Sequence, residues 1–251
     1  MDDICRGQHV NGTCGGCEMR QLRLCASVDA ETRRKIHEVS QRIVFAKGRH
    51  IVNQGEPLDR VYFIRDGMIV LSKILEDGTR CVTGFLGPGD IISGIKHREG
   101  AYCTGTALTD VATCSFRREE FMHLLQENSQ FGVIMLMFAT DEIEAQHDHN
   151  VILTRKHVSE RLAAFLLFLV NRWVGPGGVG RTATTLPMSR ADIGDYLGVT
   201  IESVSRGLTK FREDGFISMP SRDRVVIENL PALYELSGLE EVPVSRGELG
   251  L

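Results

Sequence analysis

The sequence predicts an α+β protein: an N-terminal antiparallel β-roll, then one long helix, then a C-terminal winged helix-turn-helix. Three observations predict it. Between Ile43 and Phe116, short β-rich stretches alternate with turn dipeptides at regular spacing, as a small roll or barrel requires. From Arg118 to Ile152 the pattern turns helical and runs long, with few breakers. From Met188 to Arg206 a short helical stretch, a glycine-containing turn and a second amphipathic stretch follow one another, with a β-hairpin pattern behind them.

Taken in order, residues 1–27 are polar, glycine-containing and rich in cysteine, and form an arm. Val28 to Arg42 has helical periodicity with Asp29 as N-cap. It opens the roll domain, 28–127, whose strand stretches are Arg60–Ile64, Met68–Ile74 and Arg80–Phe85. Gln54-Gly55, Asp66-Gly67 and Asp77-Gly78 supply the turns, the last two suited to hairpins. The long helix, 128–156, carries an apolar stripe through Leu136 and Ile143, interrupted by Glu142, His147 and His149. Such a stripe on an exposed helix reads as a dimerisation element, and packing on the roll is the alternative. The winged helix-turn-helix domain, 157–236, begins with an amphipathic helix from Val158 to Trp173 and crosses a Gly/Pro-rich loop from Gly175 to Gly180. Its wing runs from Phe216 to Glu228, and 237–251 form a tail.

Bulk properties exclude several classes. Apolar content of 42% and charged content of 25% exclude wholesale disorder. The longest apolar run, Leu162 to Val170, is too short to span a membrane. The N-terminus lacks the basic start and apolar core of a signal peptide, so a cytoplasmic protein is expected. Seven cysteines, an odd count, fit metal or redox chemistry better than a disulfide framework. Of the formal net charge of −4, residues 150–236 are the one net-positive part. Attraction to phosphate there depends on local placement.

In the helix-turn-helix, Gly198 suits the positive φ of the turn and Thr200 can N-cap the second helix. Ile193, Leu197, Val199, Val204 and Leu208 fall inward. Glu202, Ser203, Ser205, Arg206, Thr209 and Lys210 then fall outward. A helix of this kind offers the residues near its N-terminus to base edges. Arg206 can pair with guanine O6 and N7, and Glu202 can accept from cytosine N4. An ordinary helical hairpin with a solvated face is the alternative.

Cys14, Cys17 and Cys25, spaced C-x2-C-x7-C, are three soft ligands that need a fourth. Cys5, Cys81, Cys103 and Cys114 all qualify by sequence. Both an iron–sulfur cluster and structural zinc suit thiolates, although the spacing is not a usual zinc-finger signature. Two further patterns carry less. Gly175 to Thr182 comes near a phosphate-binding loop, but has Arg181 where a Lys is required and follows a helix instead of a strand. His147-Asp148-His149 point in different directions on a helix and read as a solvated face or a polar break in the dimer seam. No nucleophile–base pair appears, so an enzyme is not expected.

The order of these parts resembles the CRP/FNR family over nearly the whole length. The residues that carry the resemblance are Glu160 to Phe165, Asp192 to Gly198 and Thr200 to Arg206. The cysteine arm is similar to that of the oxygen-sensing FNR branch, particularly its FnrN-like regulators; FixK-like relatives generally lack it. The resemblance implies a cyclic-nucleotide-binding-like roll and a [4Fe-4S] cluster on Cys14, Cys17, Cys25 and Cys114. Cys114 is chosen over Cys103 because Val111 to Phe116 matches the place of the family's distal ligand. It implies a homodimer that forms without oxygen and binds double-stranded DNA at a palindrome like TTGAT-N4-ATCAA. Thr200, Glu202, Ser203, Ser205 and Arg206 would read that site, and Leu136 and Ile143 would lie in the dimer seam. Oxygen would convert or destroy the cluster and release monomers, so that anaerobic or microaerobic genes are controlled, with activation expected. Contact with RNA polymerase through roll loops around Thr83 to Gly87 is implied as well. In the cyclic-nucleotide branch, the phosphate pocket needs an Arg-Ser pair. Ala101-Tyr102 stand there, so cAMP loses its charge partner. A regulator of the same family using structural zinc, thiol redox or a small-molecule effector is the alternative reading.

Overall fold

The computed structural model describes residues 25, 28–93, 100–155, 157–172, 183–221 and 223–239. The chain divides into two units, 1–142 and 143–251.

In the first unit, helix α1 (Ala30–Val39) starts where Asp29 accepts a hydrogen bond from the Thr32 amide at 2.7 Å. That bond also holds the Asp29 carboxyl below its ordinary range. The helix is shorter than the periodicity predicts. Its chain leaves at Ser40 in extended conformation and passes straight into strand β1 (Gln41–Phe45). Strands β2 (His50–Val52), β3 (Arg60–Asp66), β4 (Ile69–Ile74), β5 (Arg80–Leu86), β6 (Ile91–Ser93), β7 (Thr104–Ala107) and β8 (Val111–Arg117) follow. They form two antiparallel four-stranded sheets, ordered β1-β8-β3-β6 and β2-β7-β4-β5. The turn glycines predicted from the sequence, Gly55, Gly67 and Gly78, all have φ between 81° and 86°. At Gly67 a Cβ would also come within 2.2 Å of the Asp110 carbonyl oxygen, so no other residue fits.

Strand periodicity divides the core in two. In β3, Tyr62 and Ile64 join Ile51, Val52, Ile69, Leu86 and Val111 in one apolar cluster. Val61 and Phe63, on the opposite face, join a second cluster with Ile36, Phe116, Phe121, Leu124, Phe131 and Phe138. Phe63 packs edge-on against Phe116 and Phe138, with ring centroids 5.7 and 5.9 Å apart. The second cluster thus fixes the helical layer to the sheet.

The helical run after the roll is broken where the sequence pattern shows continuity. Helix α2 (Arg118–Glu127) ends at Asn128, and helix α3 (Ser129–Thr154) begins immediately after it. Asn128 causes the break. Its backbone is extended, and its side chain accepts from the Phe131 amide at 2.9 Å, capping the new helix. Its amide group also donates to the Thr32 hydroxyl, tying α3 to α1.

Within the second unit, helix α4 (Val158–Arg172) is buried along most of its length, including every residue from Leu162 to Leu167. Strand β9 (Ala183–Thr185), helices α5 (Arg190–Leu197) and α6 (Ile201–Glu213), strands β10 (Ile217–Ser221) and β11 (Arg224–Ile227), and helix α7 (Leu230–Ser237) complete it. β11 lies between β9 and β10, so the wing is a three-stranded sheet, one strand more than the hairpin pattern shows. The cysteine arm apart from Cys25, the loop from Gly175 to Gly180 and residues 240–251 of the tail lie outside the described residues.

Candidate nucleic-acid interface and cysteine centre

The two helices of the helix-turn-helix are held by local chemistry at each end. Ser189 and Asp192 form a reciprocal capping box at the start of α5. Gly198 ends it at φ 64° and ψ 40°, left-handed as the turn requires. Gly194 permits the close approach of the two helices: a Cβ there would stand 2.7 Å from the Val199 carbonyl oxygen. Thr200 caps α6, its hydroxyl accepting from the Ser203 amide at 3.3 Å. Ile193, Leu197, Val204 and Leu208 are buried and Val199 half-buried.

That packing leaves Glu202, Ser205, Arg206, Thr209 and Lys210 exposed and Ser203 half-buried. Ser205, Arg206, Thr209, Lys210, Glu213 and Asp214 line a shallow open groove along the outer face of α6. The Glu202 carboxyl is held below its ordinary range by its own backbone N–H, by the Thr200 hydroxyl and by the Arg206 charge one turn on. A carboxylate and a guanidinium are therefore set side by side at the start of the exposed face. Together they offer one acceptor and one forked donor to base edges. Thr200 is exposed at the head of the same face but spends its hydroxyl on the cap.

Of the four cysteines assigned to a cluster, Cys14 and Cys17 lie outside the described residues, as does Cys5. Cys25 and Cys114 both stand in the second apolar cluster of the roll, 2% and 3% exposed. The strand period places Cys114 there. Phe116, two residues on, shares its cluster, whereas Thr113 donates to the Ile43 carbonyl and Ser115 accepts from Arg60 on the other face. Cys25 is tied down through its carbonyl, which accepts from Arg33 Nε at 2.9 Å, while the same guanidinium holds the Val28 carbonyl at 2.8 Å. Cys103 lies elsewhere, just ahead of β7. Burial pushes its thiol above the ordinary value, and Lys73 draws it part of the way back. Cys81 is exposed on β5 opposite Lys73. Among the described residues no three potential metal ligands come together. The described pair still suits a soft centre, because both thiols sit in an apolar, water-excluding surround.

On α3, buried residues recur on one face through Phe131, Ile134, Phe138, Ala145 and Ile152. The opposite face carries Val133, Leu136, Thr140, Ile143, His147 and Asn150, all exposed and spaced by alternate threes and fours. That is the spacing of a two-helix seam. Leu136 and Ile143, singled out from sequence, are 67% and 56% exposed. His147 belongs to this stripe, but His149 does not. Its ring stacks on Tyr196, a contact that periodicity alone does not reveal.

Comparison with known proteins matches two domain families in sequence. Residues 42–128 match a cyclic nucleotide-binding domain and residues 160–236 a Crp-like helix-turn-helix domain. The nitrogen fixation regulation protein FixK of Bradyrhizobium diazoefficiens is 34% identical over 82% of this chain and 86% of its own. The transcriptional activator protein FnrL of Cereibacter sphaeroides is 29% identical over 90% and 92%. The fumarate and nitrate reduction regulatory protein of Escherichia coli is 30% identical over 90% of each chain. Among solved structures, FixK2 from Bradyrhizobium japonicum superposes with a TM-score of 0.71 at 28% identity, covering 82% of this chain and all of that one. No helix among the described residues is long and apolar enough to cross a membrane.

Proposed function

Because this chain belongs to the CRP/FNR family of DNA-binding transcription regulators, we propose that it is an oxygen-responsive homodimer whose signal enters through a [4Fe-4S] cluster on Cys14, Cys17, Cys25 and Cys114. The observation that carries this reading is the burial of Cys25 and Cys114 in one apolar cluster, 89 positions apart in sequence. When bound, such a cluster supplies an oxygen-labile link among four thiolates.

The chain's own residues then carry the consequence. Arg33 holds the backbone at Cys25 and Val28 to α1. Thr32 of α1 meets Asn128, which caps α3. Phe131, Ile134 and Phe138 pack in the same cluster as the two thiols, so Cys25 and the buried face of α3 belong to one packed cluster. The outward face then presents Val133, Leu136 and Ile143 to a second copy. In the dimer the two α6 helices stand about one DNA turn apart, roughly 34 Å. Arg206 donates to guanine, Glu202 accepts from cytosine, Ser205 and Ser203 add hydroxyl contacts, and Thr200 fixes the start of the reading helix. RNA polymerase is the expected second partner, but not through a loop at Thr83 to Gly87: Thr83 to Leu86 lie in strand β5, and residues 84–87 are buried.

Anaerobic purification followed by an absorption spectrum and iron and sulfide analysis tests the reading. About four irons and four sulfides per chain are expected, with a dimer that dissociates in air. A colourless protein with one zinc per chain would overturn it.

A further inference from the structure

Tyr196, in the first helix of the DNA-binding motif, is clasped by a residue of the long helix. The His149 ring lies flat on the Tyr196 ring, with centroids 3.8 Å apart and planes inclined by 5°. Its Nε2 is 2.9 Å from the Tyr196 carbonyl oxygen. A carbonyl can only accept, so Nε2 carries the proton and donates. Tyr196 also meets Phe165 of α4, with ring centroids 5.6 Å apart. His149 sits on the buried face of α3, one turn from Ala145 and three positions from Ile152, both buried.

The next two carbonyls are taken as well. Arg161 of α4 donates through Nη1 to Leu197 O at 2.9 Å and Gly198 O at 3.5 Å. Its Nε donates to Arg155 O at 2.9 Å, just beyond the end of α3. Three successive carbonyls at the end of α5, which a helix terminus leaves unpaired, thus go to two side chains from other helices. That end leads within two residues to Thr200, the cap of the reading helix.

We propose that His149 is a positioning residue, which locks α5 against the long helix and so fixes the presentation of Glu202, Ser205 and Arg206 to DNA. An apolar residue would fill the same space. Histidine adds a directional bond that selects one register of α5 on α3. The proposal rests on DNA binding by the family and not on the iron–sulfur reading.

The full chain tests it, using a duplex that the wild-type protein selects from a random pool. His149→Ala should weaken binding on the order of tenfold while leaving dimer dissociation within about twofold. Amide hydrogen exchange should rise at residues 197–204. His149→Phe keeps the stack and His149→Gln the donor; each should recover part of the affinity, which a mere loss of packing would not allow for Gln. Should His149→Ala fail to fold, these two variants carry the test, each expected to bind below wild type as an intact dimer. Wild-type affinity in all variants that fold, or a loss matched by equal loss of dimer, would overturn the proposal.

Discussion

Truncating Leu136 to alanine tests the seam on α3 most directly. The change removes three carbons, worth about 2.4 kcal/mol if buried completely at about 0.8 kcal/mol per carbon. The side chain is 67% exposed in the single chain, so about 1.6 kcal/mol of that burial remains for a partner to supply. Two copies meet in a homodimer, giving about 3.2 kcal/mol, or roughly a 200-fold weaker dimer. Sedimentation equilibrium on anaerobically prepared protein measures this directly. Asp148→Asn, exposed on a different face of the same helix, is the control and should leave association unchanged. The fold should also survive Leu136→Ala, because the residue lies on the face opposite Phe131, Ile134 and Phe138. A Leu136→Ala dimer as tight as wild type would refute the seam and move the interface elsewhere.

Three further outcomes are expected. Cys114→Ser should abolish iron retention under anaerobic purification whereas Cys103→Ser should not, measured by iron and sulfide per chain; the reverse would exchange their roles. Arg206→Ala should cost about 1–3 kcal/mol at one guanine position of the selected duplex, read by competition between single-base variants, and uniform weakening across sequences would mark Arg206 as a phosphate contact instead. Burial holds the His149 pKa below the ordinary 6.5, against the pull of its bond to the Tyr196 carbonyl. Its contribution to stability is therefore full above pH 6.5 and is lost as pH falls through the lowered folded value. Thermal melts of wild type and His149→Phe between pH 7.5 and about 5 should converge on acidification, and curves that stay parallel would show that His149 does not titrate in this window.

What the sequence makes legible here is what local chemistry decides. Gly198 at positive φ, Thr200 and Asp29 as caps, and the glycine turns of the roll each follow from one residue's own conformational preference. The outward face of α6 follows from its period. Asn128 shows where this fails. In the pattern it is a tolerable helix residue, yet its side chain caps one helix while its amide reaches Thr32, 96 positions away. The burial of Cys25 and Cys114 in one apolar cluster and the stacking of His149 on Tyr196 are likewise tertiary. Spacing names the candidates, and the packing of α1, β8 and α3 shows which of them are buried and beside what. His149 was legible as a polar break in an apolar stripe, but the period places it off the seam once the buried face is known.

The two faces of α3 bear on how a regulator that senses as proposed could switch. Of the six seam positions, Val133, Leu136 and Ile143 are apolar, while Thr140, His147 and Asn150 are not. With each apolar side chain one-half to two-thirds exposed, the six in a dimer contribute about 5–10 kcal/mol on full burial. Association costs about 4–15 kcal/mol in lost freedom. The seam alone is therefore close to balance, and a change of about 3 kcal/mol shifts the dimer population by two orders of magnitude. Ordering the helix through its buried face reduces the cost side of that balance. Phe131, Ile134 and Phe138 share their cluster with Cys25 and Cys114. Under the proposed reading, closing the arm on that cluster would act on the dimer without touching the seam. A fully apolar seam would hold whether or not the arm were closed; on the proposed reading, the polar residues at 140, 147 and 150 would leave room for a signal.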